Sequence, residues 1–219
     1  MRDMMKGNTE SAQFAALAQE AGSPKTFYAG SASNDGPNGA VYKSTDGGKK
    51  WSPSGKGLPG GKVGLLRAGA PRSVFAVVDG KTLYRTTDGG GSWSAAGDGL
   101  SEGGVNELAV DPRTPTRLFA ATEKGLFLST DSGASWSRVG EGGLLEGDDV
   151  EAVAIDPASG AVYAGNFHGV FRSADGGASW QAMSAGLPNV DVRTLVVAGA
   201  PARLWAGIAG GSVYSTELP

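Results

Sequence analysis

The chain of 219 residues has no cysteine and a single histidine. The first absence excludes disulfides, thiolate zinc sites and cysteine nucleophiles together, and it fits any compartment. The second leaves His168 with no histidine partner, and no serine–histidine–acid order suggests a triad. Long apolar runs are missing too, since nothing approaches the roughly 20 residues of a membrane span. The opening MRDMMKGNTE lacks the apolar stretch of a secretory signal, and FAALAQEA is too short and polar to serve as one. Positive charge never clusters beyond the pair Lys49–Lys50, and 19 basic against 22 acidic residues leave a net charge of −3. A nucleic-acid groove is therefore not expected.

Glycine is in excess, with 37 residues, where an ordinary share is about 7%. No three-residue period runs through these glycines, so collagen is excluded and many tight turns are implied. The apolar fraction of 40% is enough for a real core.

One eight-residue pattern recurs four times: STDGGKKW (Ser44–Trp51), TTDGGGSW (Thr86–Trp93), STDSGASW (Ser129–Trp136) and SADGGASW (Ser173–Trp180). Asp46, Asp88, Asp131 and Asp175 follow one another at intervals of 42, 43 and 44 residues, and the tryptophans keep the same steps. A fixed period of this size signals a repeat architecture.

The shared pattern S/T-x-D-x-G-x-x-W resembles the Asp-box, or BNR repeat. That family includes sialidases, xyloglucan-degrading hydrolases, sortilin-type receptors and a photosystem assembly factor, all of them β-propellers. The resemblance implies an all-β propeller of four-stranded antiparallel blades, with any ligand on the end opposite the boxes. It also suggests an extracellular or periplasmic setting. It is specific for fold and weakly specific for function.

The segments between the boxes support blades independently. A short apolar strand precedes each box (AVYKS, TLYRT, GLFLS, GVFRS and finally SVYST), and another precedes that (FYAG, VFAV, LFAA, VYAG, LWAG). Pro24, Pro71, Pro115 and Pro201 each stand three residues before this second type of strand motif. That register makes residues 13–19 (QFAALAQ) the innermost strand of the first blade, although their alanines also suit a helix. Five blades are expected, at about 9–57, 58–100, 101–145, 146–188 and 189–219, within one domain of 219 residues. The fifth box is missing, with Leu218 where the aspartate belongs. Residues 2–6 are expected to supply the last outer strand and close the ring, which would remove two exposed edges. A fragment of a larger propeller is the competing reading.

Each box residue has a structural task. Gly48, Gly90, Gly133 and Gly177 allow positive φ in the turn. Asp46, Asp88, Asp131 and Asp175 accept hydrogen bonds from turn N–H groups, as do the hydroxyls of Ser44, Thr86, Ser129 and Ser173. Trp51, Trp93, Trp136 and Trp180 fold under the turn, and each indole N–H needs a partner.

Candidate ligand residues lie in the remaining turns. SASNDGPNG (Ser31–Gly39) is the longest of its kind, and its Asn34, Asp35 and Asn38 suit sugar hydroxyls or a cation; a solvated turn is the plainer reading. NFHG offers Asn166, Phe167 and His168, a ring to stack on a sugar beside a titratable imidazole. In EGGLLEGDDVE, the paired carboxylates of Asp148 and Asp149 suit calcium or glycosidic acid–base work, and a hydrolase would use Asp148 or Asp149 with Asp35 as acid and base. Asp111 and Asp156 read as turn residues.

The arginine triad, the tyrosine–glutamate pair and the arginine-isoleucine-proline motif of sialidases are all missing. GKGLPGGK (Gly55–Lys62) fails the phosphate-loop pattern. The leading expectation is thus a non-catalytic binding or scaffold propeller that recognises a protein or a glycan opposite the boxes. A sialidase- or xyloglucanase-like hydrolase and an engineered or excised propeller fragment are the alternatives. No cofactor, metal, nucleic acid or membrane span is expected, and a monomer is expected if the ring closes.

Overall fold

The computed structural model describes residues 13–32, 41–100, 103–140, 149–183 and 191–218. The chain divides into two compact units, Met1–Asp98 and Gly99–Pro219. Among the described residues all regular structure is β-strand.

The first unit holds two four-stranded antiparallel sheets. One runs β1 (Phe14–Gln19), β2 (Phe27–Ser31), β3 (Val41–Ser44), β4 (Ser52–Pro53). The next runs β5 (Val63–Ala68), β6 (Val74–Val78), β7 (Thr82–Thr86), β8 (Ser94–Ala95). The second unit holds three sheets. The third sheet is β9 (Val105–Val110), β10 (Leu118–Thr122), β11 (Gly125–Ser129), β12 (Ser137–Val139). The fourth is β13 (Val150–Ile155), β14 (Val162–Asn166), β15 (Gly169–Ser173), β16 (Gln181–Ala182), and the fifth is β17 (Val192–Ala198), β18 (Arg203–Ile208), β19 (Val213–Glu217). These are five blades of an all-β propeller. QFAALAQ is strand rather than helix: β1 pairs antiparallel with β2, Leu17 opposite Ala29. The strand expected from residues 2–6 lies outside the described residues.

A meander of this order places the first–second and third–fourth strand turns at one end of the sheet. The second–third turns and the starts of the first strands lie at the other. The boxes occupy the former end, called the box end below.

Sheets stack through a two-residue device in every second strand. Tyr28-Ala29, Phe75-Ala76, Phe119-Ala120, Tyr163-Ala164 and Trp205-Ala206 place an aromatic on one face and alanine on the other. In the first unit Tyr28 shares a buried cluster with Ala76, Val63 and Leu66 of the second sheet. In the second unit Phe119 does so with Ala164, Val150 and Val153, and Tyr163 with Ala206, Val192 and Leu195. The aromatic projects forward and the alanine on the following sheet leaves room for it. Full burial of Tyr28, Phe119 and Tyr163 stabilises the stack by about 1.5–3 kcal/mol for each ring.

Close approach also fixes a glycine. A Cβ on Gly30 would sit 2.6 Å from the Val63 carbonyl oxygen, a backbone atom that cannot rotate away. Gly64 has open space and no such neighbour. Gly30→Ala is therefore expected to lower stability by about 1–3 kcal/mol, with Gly64→Ala nearly neutral, as read from urea unfolding midpoints.

Candidate functional site

At the box end the hydroxyl and carboxylate of each box bond within the turn. Ser44 Oγ donates to Asp46 Oδ1 at 2.9 Å and accepts from Gly48 N–H at 2.9 Å. Asp46 Oδ1 also accepts from the N–H groups of Lys49 and Lys50, both at 2.9 Å. The other boxes repeat this. Thr86 donates to Asp88, Ser129 to Asp131 and Ser173 to Asp175 at 2.7–2.8 Å, while Gly90, Gly133 and Gly177 donate back to the same hydroxyls. Where serine stands before the tryptophan, it adds a second bond: Ser92 Oγ to Asp88 Oδ2 at 2.8 Å and Ser135 Oγ to Asp131 Oδ2 at 2.6 Å.

The tryptophans close the turn in two ways. Trp51 and Trp180 donate to the carbonyls of their own Gly48 and Gly177, at 2.9 and 3.1 Å. Trp93 donates instead to the Ser54 carbonyl of the preceding sheet at 2.6 Å, and Trp136, like Trp93, is buried. Gly90 is confined as well as left-handed, since its Cβ would lie 2.2 Å from Ser54 Oγ.

The box carboxylates are held below the usual carboxylate range. The Lys50 N–H is the main cause at Asp46 and the Ser92 N–H at Asp88, while the hydroxyls of Ser135 and Ser179 lead at Asp131 and Asp175. The box hydroxyls and carboxylates are thus bonded within their own turns.

The opposite end of the second unit differs. Each first strand opens with a β-bulge, an extra residue unmatched on the second strand. The pairing steps from Val105 to Glu107, from Val150 to Ala152 and from Val192 to Thr194, so the bulged residues are Asn106, Glu151 and Arg193. Bulges re-aim a side chain, and these three interact with one another's strands. Asn106 Nδ2 donates to Asp149 Oδ1 at 2.8 Å and to the Val150 carbonyl at 3.0 Å. Arg193 pairs with Glu151 of the fourth sheet and with its own Asp191. Burial and the neighbouring Asp149 push the Glu151 carboxyl above its usual range, with Arg193 pulling the other way. In the first unit the bulged residues are Ala15 and Gly64, which carry no functional group.

Of the residues singled out from sequence, Asp149 belongs to this ladder. Asn166 ends β14 opposite Val150, fully buried, and its Oδ1 accepts the His168 N–H at 2.8 Å. Phe167 is 52% exposed, its ring 3.9 Å from that of His168. Asp111 and Asp156 are buried turn acceptors: Asp111 takes the Arg113 N–H and the Arg117 guanidinium, Asp156 the N–H groups of Ala158 and Ser159. Asn34, Asp35, Asn38 and Asp148 lie outside the described residues. Sequence reading missed Asn106, Glu151, Arg193 and Asp191. Their one signal is position, since the first three each follow the buried valine that opens a first strand. Among the described residues no group of three or more histidines or carboxylates is arranged to hold a metal, and no helix is long and apolar enough to cross a membrane.

The family model described as photosynthesis system II assembly factor YCF48 matches residues 70–194. The chain belongs to the YCF48 family. YCF48 from Cyanidioschyzon merolae superposes with a TM-score of 0.64 at 16% identity, over 95% of this chain and 68% of that one. A YCF48 solved bound to D1 peptide gives 0.64 at 18% identity, over 94% and 65%. The GH74 enzyme of Niastella koreensis gives 0.71 at 17% identity over 93% of this chain, which spans only 30% of that enzyme. These likenesses are of fold. No curated protein matches the sequence.

The depressed box carboxylates set an acid limit for this YCF48-family chain. A folded-state pKa below the unfolded value of about 4 gives stability that is present above pH 4 and is lost as pH falls through the folded pKa. Urea midpoints are expected to fall steeply below about pH 4. Asp131→Asn, less stable at neutral pH, should lose less than the parent on acidification. Ser129→Ala, which leaves the Gly133 N–H without its acceptor, should cost about 1–2 kcal/mol at neutral pH.

Proposed function

We propose that the chain is a non-catalytic binding propeller whose second unit holds an extended protein segment at the end opposite the boxes. The observation that carries this is the run of functional side chains at the bulges of three successive first strands. An extended peptide offers N–H and C=O groups in regular alternation. Asn106, Glu151 and Arg193 offer donors and acceptors whose orientation is fixed by the bonds of Asn106 to Asp149 and the Val150 carbonyl and by the Arg193–Glu151 pair. Phe167, in the turn that follows Asn166, adds an exposed ring for an apolar side chain. Family membership supports a protein ligand over a glycan, because a YCF48 is known bound to D1 peptide.

The hydrolase reading has less support. Asp149 is engaged by the Asn106 amide and Glu151 by Arg193, so the ladder's carboxylates are structural partners before they are an acid and a base.

Fluorescence anisotropy with labelled D1 peptide and a panel of extended peptides of graded charge tests the proposal. Saturable binding is expected, weakened about tenfold by Phe167→Ser or Arg193→Ala with the unfolding midpoint unchanged. Absence of binding across the panel, or equal binding by both variants, would overturn it.

A further inference from the structure

The turn that follows β14 is built like its neighbour in the third sheet and carries a different side chain. Thr122 and Asn166, both buried, end the second strands, and their side-chain oxygens accept the N–H groups of Lys124 and His168 at 3.1 and 2.8 Å. A glycine at positive φ follows in each, Gly125 at 120° and Gly169 at 122°. Phe167 thus takes in the fourth sheet the place that Glu123 has in the third. The ring is held as well as shown. The turn fixes its backbone, and the His168 imidazole lies against it with centroids 3.9 Å apart and planes tilted by 40°. At 52% exposure, Phe167 presents a preorganised aromatic surface at the end opposite the boxes.

Negative charge is in excess around that surface. Register pairs Asn166 with Val150, so Phe167 and Asp149 flank one strand pair at the same end of the sheet, with Glu151 next at the bulge. Burial and the charges of Asp149, Asp191 and Glu123 push the Glu151 carboxyl above its usual range, against the pull of Arg193. That guanidinium is itself shared between Glu151 and Asp191. On the third sheet, Lys124 follows Glu123 in its turn, and Arg138 donates to the Lys124 carbonyl from its place 5.6 Å over the Phe127 ring. Arg193 bonds Glu151 through Oε1, and Asn106 bonds Asp149 through Oδ1. Among the described residues, Glu151 Oε2 and Asp149 Oδ2 have no hydrogen-bond partner.

We infer that the segment held at this end contributes a basic side chain, lysine or arginine, whose methylene stem lies on the Phe167 ring and whose cationic head turns to the Asp149 and Glu151 carboxylates. This rests on the reading of the end as a peptide site and adds the sign of charge that the site selects. A purely aliphatic or aromatic side chain would cover the ring and leave the repulsion among the carboxylates unrelieved. An acidic one would add to it. A basic side chain answers both demands, because an apolar stem and a charged tip belong to one residue. The face of the ring attracts a cation in its own right. An added positive charge also favours the ionised form of Glu151, which burial and its acidic neighbours oppose. Selection then comes from repulsion of the wrong sign as much as from attraction of the right one.

Short extended peptides that differ in one side chain (lysine, norleucine or glutamate), scanned along an otherwise neutral sequence, test this by fluorescence anisotropy on the 219-residue chain. At its best position the lysine peptide should bind about tenfold tighter than the norleucine peptide, with the glutamate peptide weakest. Raising salt to about 0.5 M should shrink the lysine advantage and leave norleucine binding nearly unchanged. Asp149→Asn, whose carboxamide oxygen can still take the Asn106 bond, and Glu123→Gln, on an exposed turn position, should each reduce that advantage. Glu123→Gln carries the comparison alone if Asp149→Asn lowers the unfolding midpoint. A lysine peptide with no advantage over norleucine overturns the inference and leaves the peptide site standing. Stable variants that keep the full lysine advantage overturn it in the same way. If no peptide in the scan binds, the inference and the peptide site fall together.

Discussion

The structure depends on an aromatic ring from one sheet meeting an alanine on the next. The two residues are adjacent in sequence, and a strand sends adjacent side chains to opposite faces. A single dipeptide therefore makes both halves of the contact: Tyr163 leaves the fourth sheet forward, and Ala164 behind it makes room for Phe119. A larger residue in place of the alanine would push the neighbouring sheet away, and a smaller one in place of the ring would leave a void. Stability is consequently assembled from neighbour-to-neighbour terms, as in other repeat architectures.

This constraint acts in the middle of each sheet and leaves the two ends to different rules. At the box end a two-residue or three-residue outer strand has too few ladder bonds to hold itself, and the turn must be fastened locally. The hydroxyl, carboxylate and indole do that with bonds whose partners lie almost wholly within the same eight residues. At the other end the bulge relieves the first strand of one pairing, so the side chain there is not bound to the packing formula. Alanine and glycine take that place in the first unit, while amide, carboxylate and guanidinium take it in the second. In the second to fifth sheets variation is tolerated there because the valine beside the bulge, not the bulge itself, supplies the buried contact.

The legibility of the sequence follows the same division. The boxes, the second and third strands and the strand nature of QFAALAQ were readable because repeated physical demands leave repeated letters. Asn106, Glu151 and Arg193 were not, since a bulge is a mismatch between two strands and appears only once their pairing is known. Their chemistry differs at every copy, so no period marks them. Asp149 stood out as one of two adjacent aspartates, but its partner was sought in Asp148 and Asp35, whereas in the fold it is the amide of Asn106, one blade earlier. Phe167 was legible as an unusual turn residue, yet Asn166 beside it is a buried strand end that positions the turn through the His168 N–H.

An eight-residue turn repeated in kind from sheet to sheet has little capacity to distinguish ligands, because its hydroxyl and carboxylate are bonded within the turn. Discrimination has to arise where successive sheets are unlike. In the second unit that place is the line of bulges, where Arg193 spans from Asp191 of its own sheet to Glu151 of the previous one. A ligand touching this line would read two sheets at once, and the spacing it meets would be set by the aromatic–alanine stack behind it. The packing that makes the blades alike thus fixes the distances between the residues that make them different.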